Sequence, residues 1–252
     1  MSSSPIAPTS TTASSISWPS RADSGAGCQA GPGAGPRADS RADSRADGAP
    51  RAAVIACGAL GGHIREIARR RGWQLELHCL PSLLHNRPGR IAPDVERLAR
   101  AAQARGLPVA LGYADCGTYG ALDELCSRLG LRRLPGLHCY DVLAGPERVA
   151  ALFDAEPGTY VLTDFLVRGF RRSVLTELGL AAHPELWPDY FGHYRRVVWL
   201  AQSREPSLEA EARAVADMFG LPLTVVDTGT ARLERALEQL LAEGAQRCAA
   251  GC

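Results

Sequence analysis

Cysteine is the residue type that most strongly suggests chemistry in this chain, and three of the eight fall where apolar runs end. They are Cys57 before Gly58, Cys116 between Asp115 and Gly117, and Cys139 beside His138. Three thiolates brought together with that His in a neutral pocket would bind Zn or an iron–sulfur cluster, because soft ions prefer sulfur. No Cys-x-x-Cys pair reinforces the set, and a Cys at a strand end also serves as a small buried hydrophobe, so both readings stay open. Cys79 fits either. Cys126, on one helical face with Leu122, Leu125 and Leu129, reads as core packing.

A second group is His85-Asn86-Arg87, which offers a proton-transfer side chain, an amide and a bidentate anion clamp within three residues. The same residues also suit a turn into the helix near Pro93. Arg168 follows Thr163-Asp164 and could neutralise an acidic ligand or pair with Asp164. Arg195 lies among Tyr190, Phe191, His193 and Tyr194, where guanidinium and rings together could grip a carboxylate or phosphate. The rings themselves read as packing. Asn86, Arg87, Arg168 and Arg195 are therefore the candidate ligand-binding residues, and His85 the candidate acid/base. His63 and His78 read as structural or exposed.

Gly58-Ala59-Leu60-Gly61-Gly62 follows an apolar run and opens a helix, the place for a phosphate cradle. Its spacing is not Gly-x-Gly-x-x-Gly, and the next run ends on Cys79 without an acidic residue. No nicotinamide cofactor is expected.

These residues must be positioned by a fold, and the composition limits which. The 252 residues are 46% hydrophobic and 22% charged with a net charge of +1, as in a globular protein. Every basic residue counted with Lys is in fact Arg, which excludes a Schiff-base lysine or a P-loop. A balanced body argues against nucleic acid, and no stretch is apolar enough to span a membrane. A cytoplasmic location is expected, where thiols stay reduced. Residues 1–51, with the repeated Arg-Ala-Asp-Ser tetrapeptide, and residues 244–252 read as flexible tails.

Between the tails, short β-branched runs alternate with amphipathic stretches. Strands are expected at 53–57, 74–80, 108–113, 159–163, 196–201 and 223–226, and helices between them from apolar spacings of three and four. Strand and helix in regular succession give an α/β fold, with mostly parallel sheets covered by helices on both faces. Residues 52–243 would form either one doubly wound domain or two similar Rossmann-like halves, 52–145 and 146–243, hinged in the irregular stretch 131–145. In such folds ligands settle beyond the carboxyl ends of strands, where Cys57 and Cys116 fall.

Five motifs in order resemble those of the prokaryotic family known as domain of unknown function 1638. They are Ile55-Ala56-Cys57-Gly58, Leu80-Pro81 with Leu84-His85-Asn86-Arg87-Pro88, Gly112 to Gly117, His138-Cys139, and Pro157 to Tyr160. The resemblance implies a cytoplasmic α/β protein with its site at Cys57, His85, Cys116, His138 and Cys139. It further implies one-carbon or methyl-transfer metabolism, with a small-molecule substrate and a corrinoid protein or methyltransferase as partner. On that basis Cys57, Cys116 and Cys139 would hold Zn or a [4Fe-4S] cluster, with His138 or His85 as a further ligand. Two rivals stay open: a metal-free module binding a small anion or a corrinoid protein through Arg87, Arg168 and Arg195, and an enzyme with Cys116 or Cys139 as nucleophile.

Overall fold

The computed structural model describes residues 51–250, of which 244–250 are described as backbone only. Cys28, Cys248 and Cys252 lie outside the residues whose side chains are described, as does the expected tail up to residue 50.

The apolar runs form two three-stranded sheets, parallel throughout. In the first, β1 (Ala52–Cys57) lies between β2 (Leu75–Leu80) and β3 (Val109–Gly112). Residues 53–57 of β1 are wholly buried, as expected for a central strand covered on both faces and therefore apolar without alternation. In the second sheet, β5 (Arg196–Ala201) lies between β4 (Thr159–Thr163) and β6 (Leu223–Asp227). All six strands match the sequence reading to within a residue or so at either end.

The halves nevertheless differ in strand order. The second sheet runs 4-5-6, whereas the first runs 2-1-3, so the chain steps outward from β1 to β2 and then crosses back over β1 to β3. Because parallel crossovers are right-handed, α1 (Gly58–Arg71) and α2 (Ile91–Gln103) must then cover opposite faces. Their buried stripes fit this: Leu60, Ile64 and Ile67 on α1, and Ile91, Val95, Ala99 and Ala102 on α2. Beyond β3 come α3 (Ala121–Leu129), α4 (Cys139–Ala144) and α5 (Pro146–Ala155). The stretch expected to be an irregular hinge thus contains α4, whose Val142 and Leu143 are buried in the first core.

In the second half α6 (Asp164–Phe170) runs into a π-helical segment, Arg171–Thr176, followed by α7 (Trp187–Phe191). Then α8 (Pro206–Phe219) buries Leu208, Ala212, Val215 and Ala216. Tyr160, Phe191, Tyr194 and Phe219 pack ring against ring, with the Tyr160 and Tyr194 centroids 5.1 Å apart at 87°. Phe191 and Tyr194 of the aromatic group in 190–196 therefore belong to the core, while Tyr190 and His193 are exposed.

The last helix crosses the expected boundary between the halves. α9 (Ala231–Ala250) follows the second sheet in sequence, but its Leu233, Leu237 and Leu240 are buried in the core of the first. Ala144, Val149 and Leu152, from the stretch joining the halves, pack instead against the second sheet's Val161, Val198 and Val226. Each half is completed by helices from both sides of the expected boundary at 145. α9 also passes the expected end of the second half at 243.

Candidate functional site

The reversal of strand order in the first sheet creates a switch point between the carboxyl ends of β1 and β3, where open parallel sheets bind ligands. Cys57 occupies the end of β1, fully buried. It is also the N-cap of α1, with its Sγ accepting the Ala59 N–H at 3.4 Å. A methyl group on Gly58 would come within 2.9 Å of the Leu80 carbonyl, so that glycine lets the strand turn straight into the helix.

β3 ends at Gly112, and the chain continues through Tyr113, Ala114, Asp115 and Cys116, all buried. Asp115 shapes this loop. Its carboxylate accepts from the Thr118 hydroxyl at 2.9 Å and from the Tyr119 and Gly120 N–H groups at 3.1 and 2.9 Å. Burial pushes the Asp115 carboxyl up, but the bonds from Gly120, Thr118 and Tyr119 outweigh it and hold the pKa below the usual carboxylate range. The loop places Cys116 in the left-handed region at φ 54°, a conformation uncommon for a residue with a side chain.

Two backbone bonds carry the loop to the third thiol. Asp115 N–H donates to the Gly136 carbonyl at 3.1 Å and Cys116 N–H to the Leu137 carbonyl at 2.8 Å. Arg133 reinforces the joint, bonding both Asp123 oxygens and the carbonyls of Leu134 and Gly136. The chain then enters α4 at Cys139, where the Asp141 carboxylate accepts the Leu137 and His138 N–H groups at 2.7 and 3.2 Å.

Cys57, Cys116 and Cys139 are thereby brought within electrostatic reach of one another. Burial first, then the neighbouring sulfurs, raise the Cys57 thiol to about 12. Burial likewise lifts Cys116 to about 11, and Cys139 is pushed above the ordinary thiol range by burial followed by Cys57 and Cys116. Opposing these increases are backbone N–H groups at each sulfur: Ala59 and Leu60 at Cys57, Cys139 at Cys116, and Tyr140 at Cys139. In the chain alone all three are neutral thiols near pH 7, which is the opposite of an activated nucleophile.

The sequence left open which member of the His138-Cys139 pair faces the site, and the structure separates them. His138 caps α4 from outside, exposed, with its Nδ1 3.9 Å from Asp141 and its ring stacked on Tyr140. Cys139 turns inward. Among the described residues no group of three or more His, Cys, Asp or Glu side chains is placed to hold a metal ion. The expected set of Cys57, Cys116, Cys139 and His138 is thus divided: the three thiols come together from separate segments, while His138 is exposed at the outer side of the start of α4.

Two further residues stand beside the thiols: Tyr113, which the sequence reading did not single out, and Cys79, which it left open between ligand and packing. Tyr113, within the quoted Gly112 to Gly117 motif, has a buried hydroxyl with no hydrogen-bond partner in the structure. Burial, then Cys57 and Cys116, raise its pKa far above the ordinary phenol value, so it is a neutral O–H donor. Cys79 also influences Cys57, and its Sγ lies where a side chain on Gly61 would stand. Only an orphaned polar atom distinguishes such a Tyr from a packed one, and sequence does not show that.

His85 lies over Tyr113, with ring centroids 6.5 Å apart at 22°. Its Nδ1 is 2.7 Å from the Ser82 carbonyl. A carbonyl only accepts, so Nδ1 carries the proton and Nε2 of the neutral ring keeps its lone pair. Asn86 and Arg87 are exposed at the end of the short 3-10 helix Ser82–Asn86. Arg168 and Arg195 are elsewhere. Arg168 pairs with Glu205 at 3.4 Å, and Arg195 bonds the Gly192 and Tyr194 carbonyls at 3.1 Å. Arg87, Arg168 and Arg195 thus sit on three separate elements, each of the last two with its own partner.

His63, read from sequence as structural or exposed, is half-buried on α1. Burial lowers its pKa, while Asp164 of α6 raises it and Arg168 lowers it further. It marks where α1 of the first half meets α6 of the second.

The fold and these side chains define a two-sheet α/β protein with a thiol-lined switch point. The chain belongs to the DUF1638 family, described as proteins of unknown function, whose model matches residues 79–237. Cys116, Cys139, His85 and His138 lie inside the matched span, while β1 and Cys57 precede it. No curated protein and no solved structure matches the chain. Among the described residues no helix is long and apolar enough to cross a membrane.

Proposed function

We propose that the chain holds an iron–sulfur cluster through Cys57, Cys116 and Cys139, and that the cluster serves one-carbon or methyl-transfer chemistry. The observation that carries the first part is the arrangement of the sulfurs. They come from three separate segments that meet at one switch point, and Cys57 and Cys116 both act electrostatically on Cys139. The second part, including a small-molecule substrate and a corrinoid protein or methyltransferase as partner, rests on the family resemblance.

The surroundings suit a negatively charged group. N–H donors from the starts of α1 and α4 face the sulfurs, and such bonds are a principal means by which a protein tunes a cluster. Tyr113 adds a neutral hydroxyl that has no partner in the protein. A cluster held by three cysteines supplies an iron with an open position for substrate. His85, the catalytic candidate, keeps an exposed Nε2 lone pair above Tyr113 and can take or return a proton there.

The test is purification and reconstitution of the full chain without air, followed by iron, zinc and acid-labile sulfide analysis and visible absorption. Stoichiometric iron and sulfide with a broad visible band is the expected result. Cys57→Ser, Cys116→Ser and Cys139→Ser should each remove most of it, and Cys126→Ser should not. A chain that stays colourless and sulfide-free after reconstitution overturns the proposal.

A further inference from the structure

A groove of about 440 Å³ lies between α6 with its π-helical extension and α8, in the second half of the molecule. Its floor is apolar, built from Val167, Phe170 and Val215, and Met218 adds a partly exposed thioether. Its rim carries Arg168, Arg171 and Arg172 with a single carboxylate, Glu211, in the lining.

The rim is the informative part. Residues 168, 171 and 172 are spaced by three and four positions, which sets all three guanidinium groups on one side of the helical segment. Like charges at that spacing disfavour a helix by about 0.2–0.5 kcal/mol per pair. Arg168 reaches Glu205 at 3.4 Å, but among the described residues no carboxylate forms an ion pair with Arg171 or Arg172, and both are exposed. Directly at Arg171 the helix widens into the π-helical turn Arg171–Thr176, a local irregularity frequent at functional sites.

We infer that this groove binds a small amphiphilic carboxylate, with its hydrocarbon part over Phe170 and Val215 and its carboxylate held by Arg171 and Arg172. The volume falls within the range of about 300–1,000 Å³ typical of small-molecule sites. An apolar floor favours a hydrocarbon over a bare inorganic anion, and planar guanidinium forks match a carboxylate with two hydrogen bonds. This inference is independent of the thiol site.

Titration of the full chain with decanoate, followed by calorimetry below its micellar concentration, tests the assignment. Decanol and decyltrimethylammonium serve as arms with the same hydrocarbon and no negative charge. Decanoate should bind most tightly. Arg171→Glu with Arg172→Glu should weaken it at least about tenfold, as loss of a charge-assisted hydrogen bond predicts. Ala214→Trp, which fills the groove while leaving the charges, should weaken decanoate and decanol alike. Binding of decanoate no tighter than decanol, or indifferent to both sets of substitutions, overturns the inference. Circular dichroism of each variant establishes that it is folded before its affinity is read.

Discussion

The carboxyl edges of the two sheets begin from similar strands and end in opposite chemical conditions. At the second edge Asp164 is wholly buried, and every acceptor site that matters is used. It takes the Trp199 indole N–H at 2.9 Å, the Gln202 N–H at 3.0 Å and the Ser203 N–H at 2.8 Å, while its own N–H reaches the Gln202 side chain at 3.0 Å. At the first edge burial raises the pKa of three thiols, with Cys57 and Cys116 adding to the rise at Cys139, Tyr113 keeps a buried hydroxyl with no partner, and Cys116 is held at positive φ. Strand order accounts for the contrast. Where the order runs 4-5-6 the strand ends are closed by a satisfied polar network, and where it reverses as 2-1-3 they are left with unmet bonding capacity. A satisfied network holds the fold together; an unsatisfied one is where a ligand can still be accommodated.

The comparison breaks most visibly at Asp164. Asp164→Ala leaves an indole and two backbone donors buried without an acceptor, and should lower stability by about 3 kcal/mol or more. Urea unfolding measures it, and a loss under about 1 kcal/mol would mean that the second edge is not held by this network.

Alkaline pH should act on the first edge. The ordinary thiol value is 9.0, and Cys57 and Cys116 are raised to about 12 and about 11. Above pH 9 the unfolded chain therefore gives up these protons while the folded chain keeps them. Stability present below that pH is lost as pH rises toward 11 and 12, by up to about 1.4 kcal/mol per pH unit for each thiol. Unfolding curves across the alkaline range should show a shallower fall for Cys57→Ala than for the unsubstituted chain.

The smallest effect belongs to Tyr113. Tyr113→Phe removes a hydroxyl that bonds to nothing, so the cluster-free chain should be unchanged or up to about 1 kcal/mol more stable. The same substitution in reconstituted protein should shift the reduction potential, since it deletes a donor beside the sulfurs. Destabilisation in the cluster-free chain would place a structural partner on that hydroxyl and weaken the contrast between the edges.

How much of this was legible in the sequence depends on how local each feature is. The strands were, because Val54-Ile55-Ala56 and Val197-Val198-Trp199 are apolar runs that need both faces covered. Cys57 and Cys116 were placed at strand ends for the same reason. The partner of α9 was not legible: a stripe of Leu233, Leu237 and Leu240 announces a buried face without saying which sheet buries it. Nor was the fate of His138 and Cys139, since only the start of α4 decides which of two adjacent side chains turns inward. A pairing of Arg168 with Asp164, one of the two readings the sequence left open, does not form because Trp199 and the turn at 202–203 fill the carboxylate. Tyr113 looked like any aromatic residue after a strand, because an empty hydrogen bond leaves no trace in composition or spacing.

The return of α9 to the first sheet has a consequence for how the molecule is made. On the ribosome the strands of the first half emerge before those of the second, yet the helix that shields β3 is translated after both sheets. Until Leu233, Leu237 and Leu240 have left the exit tunnel, the hydrophobic surface they cover stays open to water and to chaperones. The thiol-bearing half is thus completed only after both sheets have been synthesised.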